Sequence, residues 1–250
     1  MGVSFLQALP RNGLNAVHTR CPDCLRQVPA GRFRHAQGER LPRHLHREAF
    51  VTVVLGGGYE EAGDSGLHRV VAGDVVWHAG WERHLDRFDG DTTDVLVLPL
   101  ATAWRHGVHG RIADPDALAR LHEHDPRAAL QALDRHWQPA TTAALDWPAQ
   151  LAQDLLRDPA LRLDDWSAGH GLHRGSVSRG FGQVFGLSPQ AFRLQARGHH
   201  ALHGLREGGA SLGALAHACG FADQPHLNRT LLAMTGMTPG QLATELSALP

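Results

Sequence analysis

Two histidines one residue apart, His44 and His46, stand in the stretch RHLHREAFVTVVLGG. On an extended strand, residues i and i+2 project to the same face, so both imidazoles would point the same way. Imidazoles that converge around an open coordination position suit Zn, Fe, Ni or Cu. A second candidate is Cys21-Pro-Asp-Cys24, the spacing of half a zinc site or of a redox pair. No second CxxC or nearby His pair completes it, and two ordinary loop thiols are the favoured reading. The remaining thiol, Cys219, stands among Ala216, Ala218 and Phe221 and reads as a small buried hydrophobe. The cationic chemistry is unusual in kind: all 24 basic residues are Arg, the side chain suited to bidentate contacts with phosphate and guanine. Because the net charge is only −1, composition permits a nucleic-acid partner without announcing one.

These residues need elements to hold them. A chain of 250 residues suits two domains. Its 42% hydrophobic and 20% charged residues exclude a disordered chain. From Arg32 to about Leu100 short apolar runs alternate with Gly and Asp. AFVTVVLGGGYEE predicts a strand, a glycine turn and a second strand; LHRVVAGDVVWHAG predicts two more around Gly73; DVLVLPL closes the set. Such spacing indicates an antiparallel barrel or sandwich. After Asp114-Pro115 the texture is helical, with helices predicted over Asp116 to Trp137 and Pro148 to Leu156. Beyond Leu161 come short capped helices, with Ser188, Ser211, Asp223 and Thr238 as N-cap residues. The longest apolar run, Phe50 to Leu55, is far below the ~18 residues of a membrane span, and three Cys argue against a disulfide framework. A cytoplasmic location is the expectation.

Two stretches repeat one layout. Residues 163 to 189 and 212 to 239 each give a short helix, a glycine-containing turn, a longer helix and a closing Gly-x-Ser/Thr-Pro, which is the helix-turn-helix pattern. A helix predicted from Pro189 to Leu205 joins them. Both units, above all GFADQPHLNRTLLAMTGMTP, resemble the DNA-binding domain of AraC-type transcription regulators over roughly residues 160 to 245. In the second unit Gly220-Phe221-Ala222-Asp223-Gln224, Arg229, Gly236 and Thr238-Pro239 carry the likeness. In the first it is carried by Arg179-Gly180-Phe181, Gly186 and Ser188-Pro189. The resemblance implies base-reading positions at Gly175, Ser178 and Arg179, and at Gln224, Pro225, His226, Asn228 and Arg229. Chemically, Arg can address guanine and Asn or Gln adenine. The alternative for Arg179 and Arg229 is an ion pair within the domain, to an acid such as Asp164 or Glu207; for His226 it is a merely solvated place on the helix. The chain departs from the family where Leu231-Leu232-Ala233 replaces basic residues, and where Gly182-Gln183 follows Phe181. Residues 160 to 250 hold seven Arg against five acids, a net of +2, so a lone domain should bind DNA weakly and depend on dimerisation.

The strand-rich half resembles the cupin-like sensor domain that many AraC-type regulators carry. RHLHREAFVTVVLGG is similar to the first cupin motif, and GDVVWHAGWERH to the second, with His78 where Pro is usual. The resemblance implies metal ligands at His44, His46 and His84. The usual acidic ligand falls on Phe50, which cannot ligate; Glu48 shares the parity of His44 and His46 and is its substitute on the strand. A divalent transition metal, an organic effector held by the imidazoles, and an empty domain all remain open at this point.

The expectation is therefore an α+β chain: a cupin-like β-barrel over 1–108, a helical linker or dimerisation region over 109–158, and an all-α domain with two helix-turn-helix units over 159–250. It is expected to be a sequence-specific DNA-binding transcription regulator, not an enzyme, controlled by a small-molecule or metal effector. It should form a homodimer through residues before about 158, a role compatible with contact to RNA polymerase. The competing reading is a metal-dependent cupin enzyme, a dioxygenase or isomerase, with a helical appendage. It leaves the paired recognition helices unexplained.

Overall fold

The computed structural model describes residues 25–26, 28–100, 104–140, 145–158 and 160–247. Cys21 and Cys24 lie outside the described residues.

The amino-terminal half is built from β1 (Leu25–Arg26), β2 (Gly31–His35), β3 (Glu39–His46), β4 (Phe50–Gly56), β5 (Gly58–Gly63), β6 (Gly66–Val71), β7 (Asp74–His78), β8 (Arg83–Phe88), β9 (Thr93–Pro99) and β10 (His109–Arg111). They form two facing sheets, one ordered β1-β3-β8-β5-β6. The other is ordered β10-β7-β4-β9-β2, with β11 (Gln138–Pro139) added beside β10. The strands predicted around the glycine turns correspond to β4 with β5, β6 with β7, and β9. Between the sheets lies an apolar filling that includes Phe50, Val54, Tyr59, Val70, Val76, Phe88 and Val95. β4 is almost wholly buried because both of its faces are covered. Val54 and Phe50 fill the space between the sheets, while Val51 and Val53 pack outward.

That outward face meets α1 (Pro115–His124) and α2 (Pro126–His136), which contribute Leu118, Ala119, Ala129 and Leu133. The single helix predicted over Asp116 to Trp137 is thus two. Pro126 has no N–H to continue the ladder and disfavours helical backbone at the residue before it, so Asp125 turns extended. Its carboxylate then accepts from the N–H groups of Arg127 and Ala128 and starts the second helix.

After α3 (Trp147–Arg157) come α4 (Leu163–Gly169), α5 (Arg174–Phe185), α6 (Pro189–Glu207), α7 (Leu212–Ala218), α8 (Gln224–Thr235) and α9 (Pro239–Ser247). Ser188, Ser211 and Asp223 cap their helices as the sequence predicts. The 19 residues of α6 span ~28 Å and serve both helical cores. Phe192 near its start packs with Val177, Phe181 and Phe185 of α5, and Ala201 and Leu202 pack with Leu215, Leu227 and Leu231 of α7 and α8. No helix among the described residues is long and apolar enough to cross a membrane.

Candidate functional site

Each helix-turn-helix unit presents one longer helix. On α5, Val177, Phe181 and Phe185 recur at four-residue spacing and face the core, which turns Arg179 outward. On α8, Leu227, Thr230, Leu231 and Met234 are buried, so Gln224 and Arg229 stand exposed on the opposite side. Both helices end on a glycine in the left-handed region, Gly186 at φ 71° and Gly236 at φ 75°, where a side chain would be strained. Among the described residues neither Arg179 nor Arg229 forms an ion pair. The acids considered for them are engaged elsewhere: Asp164 with Arg174 at 3.1 Å and Glu207 with His203 at 3.4 Å. Ser178, His226 and Asn228 are half-buried. The His226 ring packs edge-on against Phe221 at 5.2 Å, and the Asn228 Oδ1 is enclosed without a partner. Leu232 is exposed.

The second constellation is inside the barrel. His44 and His84 are cross-strand partners on β3 and β8. Their rings lie 4.4 Å apart, with His46 at 4.8 Å from His44 and 5.4 Å from His84. All three are buried, and their ring nitrogens can converge within 4.8 Å. The sequence-derived trio is therefore brought together. Glu48 is not part of it: β3 ends at His46, the chain bends at Arg47 and Glu48, and the carboxylate is exposed. The His44 Nδ1–H donates to the Pro42 carbonyl at 2.9 Å. Phe50, at the usual acid position, wedges in with its ring 4.8 Å from His46 and 4.1 Å from His78. Glu61 on β5 and His78 on β7 complete the surroundings, both fully enclosed. Burial, then the charges of Asp86 and Glu82, pushes the Glu61 carboxyl well above its ordinary range. Burial, together with neighbouring histidines, holds His78 and His84 well below theirs.

Sequence reasoning missed Glu61, which reads as half of a polar Glu60-Glu61 pair. The available signal was alternation: Tyr59 and Glu61 share the inward face of β5.

The same two strands that carry the histidines face the helical half with their other side. Leu45 and Trp81 join the core of the second unit, and Ala62 and Leu85 join that of the first. Trp81, on the β7–β8 connection, holds the left-handed conformation at φ 67° that is rare for a bulky residue, and is fixed there by its N–H to the His46 carbonyl at 2.7 Å. Arg43 donates to the Phe185 carbonyl at 3.3 Å, and Arg87 to the carbonyls of Gln183 and Val184, so α5 is held at its carboxyl end. Arg83 does the same for α8 through the Met234 carbonyl. Cations at helix carboxyl ends satisfy orphan carbonyls and complement the dipole. Asp64 ties the arrangement together. It pairs with Arg43, meets His199 of α6 at 2.6 Å and accepts from the Arg83 N–H at 3.0 Å. Burial raises its pKa, but Arg43 and His199 outweigh that and hold it at about 2.

Residues 166–245 match the helix-turn-helix domain family. No curated protein matches the chain. Among solved structures the chain is similar to unsaturated fatty acid-bound ToxT from Vibrio cholerae, at 10% identity over 88% of this chain and 96% of that one, with a TM-score of 0.41. It is also similar to a transcriptional regulator with an AraC-type DNA-binding domain from Chromobacterium violaceum, at 24% identity over 40% of this chain and 91% of that one, TM-score 0.38. The DNA-binding domain of AdpA in complex with a target DNA is similar at 20% identity over 42% of this chain and 96% of that one, TM-score 0.38. The assignment of the carboxyl-terminal half rests on the matched segment and on the two presented helices. Residues 166–245 form a helix-turn-helix domain that presents α5 and α8.

Proposed function

We propose that an effector held among His44, His46 and His84 sets how the two recognition helices are placed, and so controls operator binding. The effector is a divalent transition metal or a small molecule gripped by the imidazoles; no catalytic role belongs to these residues in this reading. One observation carries the proposal. β3 and β8 present His44, His46 and His84 to the barrel interior and Arg43, Arg83 and Arg87 to the carboxyl ends of α5 and α8. A ligand that shifts β8 moves the anchors of both helices, and one that shifts β3 moves an anchor of α5, because each side chain on one face is covalently next to one on the other.

On this reading Ser178, Arg179, Gln224, His226, Asn228 and Arg229 supply the base-facing surface, with exposed Arg179, Gln224 and Arg229 as its principal readers. The active species is a homodimer formed by residues before about 158, since one domain's small positive charge limits its phosphate contacts. RNA polymerase is the partner such a regulator acts upon. To test control, an operator is selected from random duplex DNA with the full chain, and affinity is measured with and without Zn(II) in chelator-treated protein. A zinc-dependent change that His84→Ala abolishes supports the metal form. An affinity that stays constant with zinc and with cell-extract small molecules overturns control through the barrel.

A further inference from the structure

A second donor set lies one step deeper in the barrel and uses a residue outside the trio read from the sequence. Glu61 from β5, His78 from β7 and His84 from β8 can bring one ligand atom each to within 4.8 Å of the others. Their relative exposures are 1%, 1% and 4%. Three of their atoms, Glu61 Oε1, His78 Nδ1 and His84 Nδ1, are buried without any hydrogen-bond partner. An unsatisfied buried polar atom destabilises a fold, so three in one place need a physical reason. Glu61 Oε1 lies 3.5 Å from His78 Nδ1, too long and unsatisfied for a hydrogen bond. Each of the three atoms can offer an electron pair to a metal ion.

The outer sides of the same groups are held as metal ligands usually are. The second oxygen of Glu61 accepts from the Tyr59 hydroxyl at 3.4 Å, and His78 Nε2 lies 3.3 Å from the Thr52 hydroxyl. Phe50 stacks on the His78 ring at 4.1 Å and fixes its plane. Phe50 also removes the acid from the His46 side of the cluster, whereas Glu61 offers one on the His78 side. A dication needs compensating charge in a buried site, and this carboxylate provides it.

We propose that the barrel holds one divalent transition-metal ion on Glu61, His78 and His84, with His44 and His46 lining the open side of the ion rather than binding it. Two imidazoles and one carboxylate with free positions suit Zn(II), Fe(II), Co(II) or Ni(II), and leave room for a water or an anionic effector. This deepens the reading of the barrel as the controlling domain, because the shared ligand His84 sits on β8 between Arg83 and Leu85.

The test uses the full chain, stripped with chelator and titrated with Co(II), followed by the visible absorption of bound cobalt and by metal analysis. One cobalt per chain is expected. Glu61→Gln, nearly isosteric, and His78→Ala should each weaken binding at least ~10-fold. His44→Ala and His46→Ala should weaken it less than Glu61→Gln and His78→Ala do. Thermal melting in chelator checks that each variant is folded. Loss of cobalt in His44→Ala and His46→Ala, with Glu61→Gln and His78→Ala unchanged, moves the ion to the other trio: the inference falls while effector control stands. Wild-type protein that takes up no cobalt also overturns the inference, and the zinc-free operator measurements then decide the control reading separately.

Discussion

Arg83 and His84 are neighbours on β8 and face opposite worlds: Arg83 donates to the Met234 carbonyl at the end of α8, and the His84 ring lies 4.4 Å from His44 inside the barrel. One peptide bond separates the contact with the end of α8 from the histidine cluster.

Replacing Arg83 and Arg87 together by Ala should therefore uncouple the halves. Operator binding itself should survive, since neither residue lies on the presented faces of α5 or α8. The dependence of affinity on the effector should shrink from the ~5–150-fold range typical of allosteric coupling toward none. Fluorescence anisotropy on a labelled operator, with and without effector, measures this directly; an unaltered effector response in the double variant rejects the arginine link.

Arg229→Ala and Arg179→Ala should each remove about 1–3 kcal/mol of discrimination against wrong bases, because the exposed guanidinium groups have no protein partner among the described residues. Helix content and melting should be unchanged. Competition between the selected operator and single-base variants of it reads the loss at particular positions, and equal discrimination in wild type and variants would reject base reading by these residues.

Asp64 gives the interdomain seam a pH dependence. Its folded pKa of about 2 lies below the unfolded value of 3.8, so it stabilises the fold above about pH 4 and that contribution fades as pH falls toward 2. The shift is worth on the order of 2 kcal/mol. Asp64→Asn should lower the melting temperature at pH 7 and flatten its decline between pH 5 and pH 2. A variant whose melting curve parallels wild type throughout that range would show that the seam does not draw on this carboxylate.

Dimerisation is expected through residues before about 158. On α1, Leu121 is an exposed large hydrophobe beside Leu118, and a charge there should weaken self-association without disturbing the core. Sedimentation of wild type at micromolar concentration should give a dimer, and Leu121→Glu a larger monomer fraction. A wild-type monomer with and without operator would reject the homodimer.

The helical half was legible in the sequence because its determinants are local. N-cap residues such as Ser188, Ser211 and Asp223, the left-handed glycines Gly186 and Gly236, and core residues at helical spacing act within a few positions of one another, so they mark each element before any packing is known. The same locality made Pro126 decide, against the longer helical pattern, that Asp116 to Trp137 would be two helices.

The trio of His44, His46 and His84 was foreseen from strand alternation and motif spacing, since parity along one strand is a sequence property. Glu61 was not, because alternation shows only that it shares a face with Tyr59, and pairing with β6 and β8 decides that this face turns inward. The docking of Arg43, Arg83 and Arg87 onto helix ends more than 90 residues away was equally out of reach. Local sequence determined which segments become recognition helices and which residues share a strand face. Only the tertiary structure decided what those faces meet, because a buried carboxylate among barrel histidines and a capped helix end arise from long-range packing that no nearby spacing encodes.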